Sequence, residues 1–138
     1  MQTNIDHLKP TIIIVDDDPA ICNSLKFSLG IEGYLVREYS SAPELLEETT
    51  FPEKGCLVID YRLPCIDGLE LLSKLRRRDI TLPAILITTR PSGRVRVLAA
   101  RAGIPLIEKP LLTEDLFQCI RAALAGDASS NGAVDQNQ

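Results

Sequence analysis

The sequence predicts an α/β protein: a doubly wound, five-stranded parallel sheet in the order 2-1-3-4-5, with helices on both faces. Three observations lead there. Five short runs rich in Ile, Val and Leu alternate with helical patterns, an alternation that implies right-handed crossovers and parallel strands. The runs at 12–15, 56–59 and 84–87 are apolar at every position, as strands buried on both faces must be. The 138 residues suffice for one domain with its own core and no disulfide or structural metal.

The elements follow in order. The first strand is "TIIIVD" (11–16), and Asp18-Pro19 supplies the N-cap and first position of the next helix. That helix keeps its period through Ile21/Cys22, Leu25 and Ser28/Leu29, and Gly33 is its stop signal. The second strand, "YLVREY" (34–39), carries Arg37 and Glu38 and so belongs at an edge. Ser41 and Glu44 form an S-x-x-E capping pattern around Pro43, opening a short helix through Leu45 and Leu46.

"CLVID" (56–60) is the third strand. Asp67 and Glu70 repeat the capping logic before "LELLSKLRRR", a helix whose Leu69, Leu72 and Leu75 share a face. "AILIT" (84–88) is the fourth strand. The helix at 92–102 keeps its spacing through Val95, Leu98, Ala99 and Ala102, although Pro91 and Gly93 weaken its first turn. "PLIEK" (105–109) closes the sheet, and the helix at 113–125 is amphipathic through Leu116, Cys119/Ile120 and Ala123, with Glu114 and Asp115 suited to its N-terminus.

Residues 10–125 therefore form the domain, 1–9 a flexible arm, and the small, polar stretch 126–138 a flexible tail. No run approaches the roughly 20 apolar residues of a membrane helix, and the polar start has no signal-peptide core. Cys22, Cys56, Cys65 and Cys119 form no C-x-x-C pair, which argues against a zinc site or disulfide framework and for a cytoplasmic setting. A net charge of -4 argues against general nucleic-acid binding. The single histidine, His7, lies in the arm and is assigned no role.

In open parallel sheets, ligands gather beyond the carboxyl ends of the strands, where strand order reverses. Asp16, Asp17 and Asp18 fall just past strand 1, Asp60 ends strand 3, Thr88 and Thr89 end strand 4, and Lys109 ends strand 5. Ionised carboxylates held together need a counter-charge. Oxygen ligands without His or Cys select a hard, hydrated cation, Mg²⁺ rather than Zn²⁺. Asp18 is set aside as a helix cap, and Lys109 is a counter-charge already present on the rim.

In order and spacing, "VDDDP", "IDYRLPCIDGLELL", "ILITT" and "IEKP" resemble the signature stretches of the receiver domain of bacterial two-component response regulators. The resemblance covers residues 10–125, and "GLELLSKLRRR", "PAILIT" and "LIEKPL" look most like the nitrogen-fixation regulator (FixJ-type) receivers. It implies the receiver fold, with Asp60 as phosphoacceptor. It implies Mg²⁺ bound by Asp17, Asp60 and the backbone carbonyl of Arg62, with Asp16 acting through water. It further implies that Lys109 pairs with the phosphoryl oxygens, that the Thr88 hydroxyl bonds to the phosphoryl group, and that Lys109-Pro110 is cis. Chemically, Asp60 would act as a carboxylate nucleophile on phosphorus while cations neutralise the oxygens, a reaction that needs no histidine in the chain.

The partners implied are a sensor histidine kinase or phosphotransfer protein, and a protein target or second copy on helix 4, strand 5 and helix 5. No direct contact with nucleic acid or membrane is expected. FixJ-type regulators usually carry a C-terminal DNA-binding domain, and its absence from this sequence sets the expectation of a stand-alone receiver. Leu106 stands where receivers commonly hold an aromatic switch residue, so that mechanism is not carried over. Arg62 and Arg90 flank the site at positions that in the family tune the access of water to the acyl phosphate. Arg90, Arg94, Arg96 and Arg101, with Arg76-Arg77-Arg78, read as solvated faces or a partner surface.

Three other functions are weighed. A Mg²⁺-dependent aspartyl-phosphate hydrolase would want a second acid two residues after its nucleophile, where this chain has Arg62. A flavodoxin-like cofactor binder would want a phosphate-cradling loop after strand 1, where this chain has carboxylates. A phosphorylation-independent binding module is the other alternative, and in it the acidic rim is a degenerate site.

Overall fold

The computed structural model describes residues 9–126, and the arm and tail expected at the termini lie outside them apart from Lys9 and Gly126. The elements are β1 (Thr11–Val15), α1 (Pro19–Ile31), β2 (Leu35–Tyr39), α2 (Ala42–Leu46), β3 (Gly55–Asp60), α3 (Gly68–Arg77), β4 (Ala84–Thr89), α4 (Gly93–Arg101), β5 (Leu106–Lys109) and α5 (Thr113–Leu124). All sheet pairings are parallel and the strand order is β2-β1-β3-β4-β5. The expected topology and the edge position of the second strand are both present.

Strand residues alternate between two cores. Ile13, Val15, Leu57, Ile59 and Leu86 pack with α2, α3 and α4 on one face. Ile12, Ile14, Val58, Ile85 and Ile87 pack with α1 and α5 on the other. Every residue of β1 and β3 is buried, which is why their sequences show no polar alternation.

The helix starts are built largely as expected. Asp18 accepts the amide of Ala20, Ser41 that of Glu44 and Asp67 that of Glu70, while the α4 start, expected to be weakened by Pro91 and Gly93, is capped by Ser92, which accepts the amide of Val95. The α2 cap differs in one arm: the Glu44 carboxylate accepts the amide of Ser40, at 2.7 Å, rather than that of Ser41. On α3 the buried face is Gly68, Leu71, Leu72 and Leu75, with Leu69 only half-buried, so the expected Leu69/Leu72/Leu75 face is rotated. At α1, Gly33 adopts φ +97°, a left-handed conformation that favours glycine and lets the chain turn into β2.

Two groups of side chains depart from the pattern. Phe27 and Ile31, on the outer side of α1, are 71% and 69% exposed. Arg78, read as part of a charged face, is instead a tie between elements. Its guanidinium donates to the carbonyls of Leu46 and Glu48, both at 2.8 Å, and lies 5.9 Å from the centroid of the Phe51 ring.

Candidate functional site: an acidic rim with a lysine counter-charge

β1 and β3 are neighbours, and the order reverses between them, so Asp16 and Asp60 emerge side by side at the switch point. Asp16 is 1% exposed and Asp60 5%. Asp17 is exposed, and the carboxylates of Asp16, Asp17 and Asp60 offer oxygens within 4.8 Å of one another. Asp18 stays out of this cluster and caps α1, as expected.

Lys109 arrives from the end of β5. Its Nζ lies 3.0 Å from Oδ2 of Asp16 and donates to Oδ2 of Asp60 at 3.3 Å. The Asp16 contact is an ion pair without hydrogen-bond geometry, so Oδ2 of Asp16 is buried with no hydrogen-bond donor directed at it. The other oxygens are held by the backbone: the Asp18 amide donates to Oδ1 of Asp16 at 2.9 Å and the Arg62 amide to Oδ1 of Asp60 at 3.1 Å. The Lys109-Pro110 peptide bond is cis.

These contacts set the electrostatics. Burial, followed by the Asp16 charge, pushes the Asp60 carboxyl above its ordinary value, against the opposing pull of the Arg62 amide and Lys109. For Lys109, burial works against the charge, but Asp16 and Asp60 outweigh it and the net shift is upward. One lysine thus faces three carboxylates. That excess of negative charge, the all-oxygen donor set and the open hydrogen-bonding capacity of Asp16 Oδ2 fit a hard divalent cation.

Thr88 sits at the end of β4, next to Ile87, the register partner of Asp60. It is fully buried and its Oγ1 has no hydrogen-bond partner, whereas Thr89 is exposed. The side chains of Arg62 and Arg90 are exposed, and Arg90 has φ +44°, in the left-handed region. Leu106 is half-buried against the core, paired in register with Leu86.

Two supports of the site were not anticipated from sequence. A Cβ placed on Gly68 would lie 2.7 Å from the Asp60 carbonyl oxygen, so only glycine lets α3 start this close to the end of β3. A glycine inside the first turn of a helix, where a better helix former would be expected, was the available signal. Cys22 Sγ donates to the Asp16 carbonyl at 3.3 Å, a contact no motif announces.

A family model for the response regulator receiver domain matches residues 12–121. The chain belongs to that family: it is a receiver domain of the two-component response regulators. Among its relatives, the response regulator MprA of Mycobacterium leprae (strain TN) is 38% identical over 114 residues, covering 82% of this chain and 50% of that protein. The transcriptional regulatory protein FixJ of Azorhizobium caulinodans is 32% identical over 123 residues, covering 88% of this chain and 58% of that one. The chain thus spans about half the length of these curated relatives.

Solved structures agree. A CheY-like receiver domain protein from Methanospirillum hungatei JF-1 superposes with a TM-score of 0.78 at 33% identity, over 88% of this chain and 98% of that one. The FixJ-N crystal structure gives 0.75 at 33% identity, over 85% and 94%.

Proposed function

We propose that Asp60 is the phosphoacceptor of this receiver and that the rim around it exists to make and hold an aspartyl phosphate. A carboxylate oxygen of Asp60 forms the new bond to phosphorus. The bond from phosphorus to its donor breaks, and the leaving group keeps the electron pair. The donor is a phosphohistidine of a sensor kinase or phosphotransfer protein, or a small acyl phosphate. Membership of the receiver family and the convergence of Asp16, Asp17, Asp60 and Lys109 support this reading.

Asp16, Asp17, Asp60 and the carbonyl of Arg62 would hold Mg²⁺, with Asp16 acting through a water. When bound, the ion offsets the charge of the carboxylates and of the incoming phosphoryl oxygens. Lys109 exchanges its present carboxylate contacts for a phosphoryl oxygen. The Thr88 hydroxyl, unpartnered now, gains an acceptor when the phosphoryl group arrives.

The readout passes to a protein partner on α4, β5 and α5, where Arg96 and Glu108 already join α4 to β5 at 3.2 Å. Leu106 can repack but has no phenolic hydroxyl to offer, so this readout proceeds without an aromatic switch. A cytoplasmic site of action fits both the chemistry and the chain, in which no helix among the described residues is long and apolar enough to cross a membrane.

Incubating the wild type with acetyl phosphate and Mg²⁺, and measuring intact mass, tests the proposal. One added phosphoryl group is expected, lost when Mg²⁺ is chelated and absent in Asp60→Asn. An adduct of equal yield in Asp60→Asn would overturn the assignment.

A further inference from the structure

An open groove of about 1030 Å³, lined by none of Asp16, Asp17, Asp60, Thr88 or Lys109, runs between α3 and α4 and continues under the starts of β4 and β5 towards α5. Its volume matches the upper range of small-molecule sites. Leu69, Leu72, Leu98, Ala102 and Ile104 give it an apolar lining. An apolar lining with a few polar groups at its ends is the usual composition of a small-molecule site.

One group on the wall indicates what that occupant carries. Arg76, on the last turn of α3, is half-buried, and it donates through one terminal nitrogen to the Ile80 carbonyl at 2.8 Å. Among the described residues no carboxylate pairs with it. Burial alone holds its guanidinium below the ordinary value, and no neighbouring charge pulls it back up. A partly desolvated cation without a counter-ion is unfavourable, and an anion brought alongside it relieves that cost.

The acids of the groove lie at its other end: Asp67 and Glu70 open α3, and the Asp67 carboxylate is engaged in capping the Glu70 amide at 2.8 Å. The groove is therefore polarised along α3, and an anionic head is repelled from one end and attracted to the other. Arg76 stands seven helical positions after Leu69, which is about 10 Å of wall.

We propose that the groove between α3 and α4 binds a small amphiphilic carboxylate, its head on Arg76 and its alkyl chain along Leu72, Leu69 and Leu98. Shape supplies the apolar complement and Arg76 the charge complement. The site is separate from the phosphoacceptor rim, so it stands whether or not Asp60 is phosphorylated.

The test is titration of the ¹⁵N-labelled chain with sodium decanoate below its micelle concentration, with decanol and decyltrimethylammonium as neutral and cationic controls. Saturable shifts at Leu69, Leu72, Leu98 and Ile104 are expected with decanoate, with both controls binding at least about tenfold more weakly. Arg76→Gln should weaken decanoate by a similar factor while Arg76→Lys retains it. Ala102→Phe, which fills the groove and leaves Arg76 in place, should abolish binding even if Arg76→Gln perturbs folding. Equal affinity for decanol, undiminished binding in Ala102→Phe, or the absence of saturable shifts in the folded wild type would each overturn the proposal.

Discussion

Lys109 Nζ lies 3.0 Å from Oδ2 of Asp16, joining the two strand ends on either side of the phosphoacceptor candidate, and it donates to Asp60 at 3.3 Å. This lysine is the only cation within ion-pair distance of either buried carboxylate among the described residues. Lys109→Met should therefore destabilise the metal-free protein by about 3 kcal/mol, because it leaves two buried carboxylates without their counter-charge. Urea unfolding in EDTA measures the loss, and saturating Mg²⁺ should recover part of it by binding the folded state alone.

Thr88 contributes a hydroxyl that is buried and unbonded in the unphosphorylated protein. Thr88→Val keeps the shape and removes the stranded group, so it should stabilise this state by about 1 kcal/mol. In the same variant the phosphorylated state should lose its hydroxyl contact, and the gain in melting temperature on phosphorylation should shrink. A Thr88→Val protein no more stable than wild type would place an unseen partner on the hydroxyl.

Asp60 makes stability depend on pH in a definite direction. Its carboxyl is raised above the ordinary value of 3.8, so the folded state holds the proton more tightly than the unfolded state does. The stabilisation that this provides is fully present below that ordinary value and is lost as pH rises through the folded value. Asp60→Asn removes the charge that must otherwise stay buried. It should exceed wild type by about 1–2 kcal/mol near neutral pH without metal, and the gap should narrow on acidification. Paired denaturant melts from pH 4 to pH 8 give both curves.

The topology and the rim were legible in the sequence because both follow from burial. Strands covered on two faces must be apolar throughout, so the charges that end them at Asp16, Asp60 and Lys109 stood out. What stayed hidden depends on packing between distant segments. In "LELLSKL" the helical period accepts either Leu69 or Leu71 as a core position, and only the placement of α3 against the sheet selects Leu71. Arg78 reaches carbonyls about thirty residues away, which no local pattern encodes. The closeness of Gly68 to the Asp60 carbonyl and the solitary burial of Arg76 were likewise beyond spacing arguments.

Arg62 and Arg90 stand on the loops that follow β3 and β4, the strands carrying Asp60 and Thr88, and their side chains are exposed. A guanidinium here can pair with the phosphoryl group and shield it from water. Arg62→Ala and Arg90→Ala should each shorten the lifetime of the acyl phosphate, by about threefold or more where the pairing is bidentate. Timed intact-mass measurements after removal of the phosphodonor follow the decay; lifetimes matching wild type in both variants would reduce these residues to ordinary surface arginines.

Of the three clustered aspartates, Asp60 is the one proposed as nucleophile. Reducing the acetyl-phosphate-treated protein with borohydride converts an aspartyl phosphate to homoserine, and peptide mass mapping locates it. Homoserine is expected at position 60 alone, formed only when Mg²⁺ was present. Homoserine at position 16 or 17, or at position 60 with equal yield in the absence of Mg²⁺, would rule out Asp60 as the Mg²⁺-dependent phosphoacceptor.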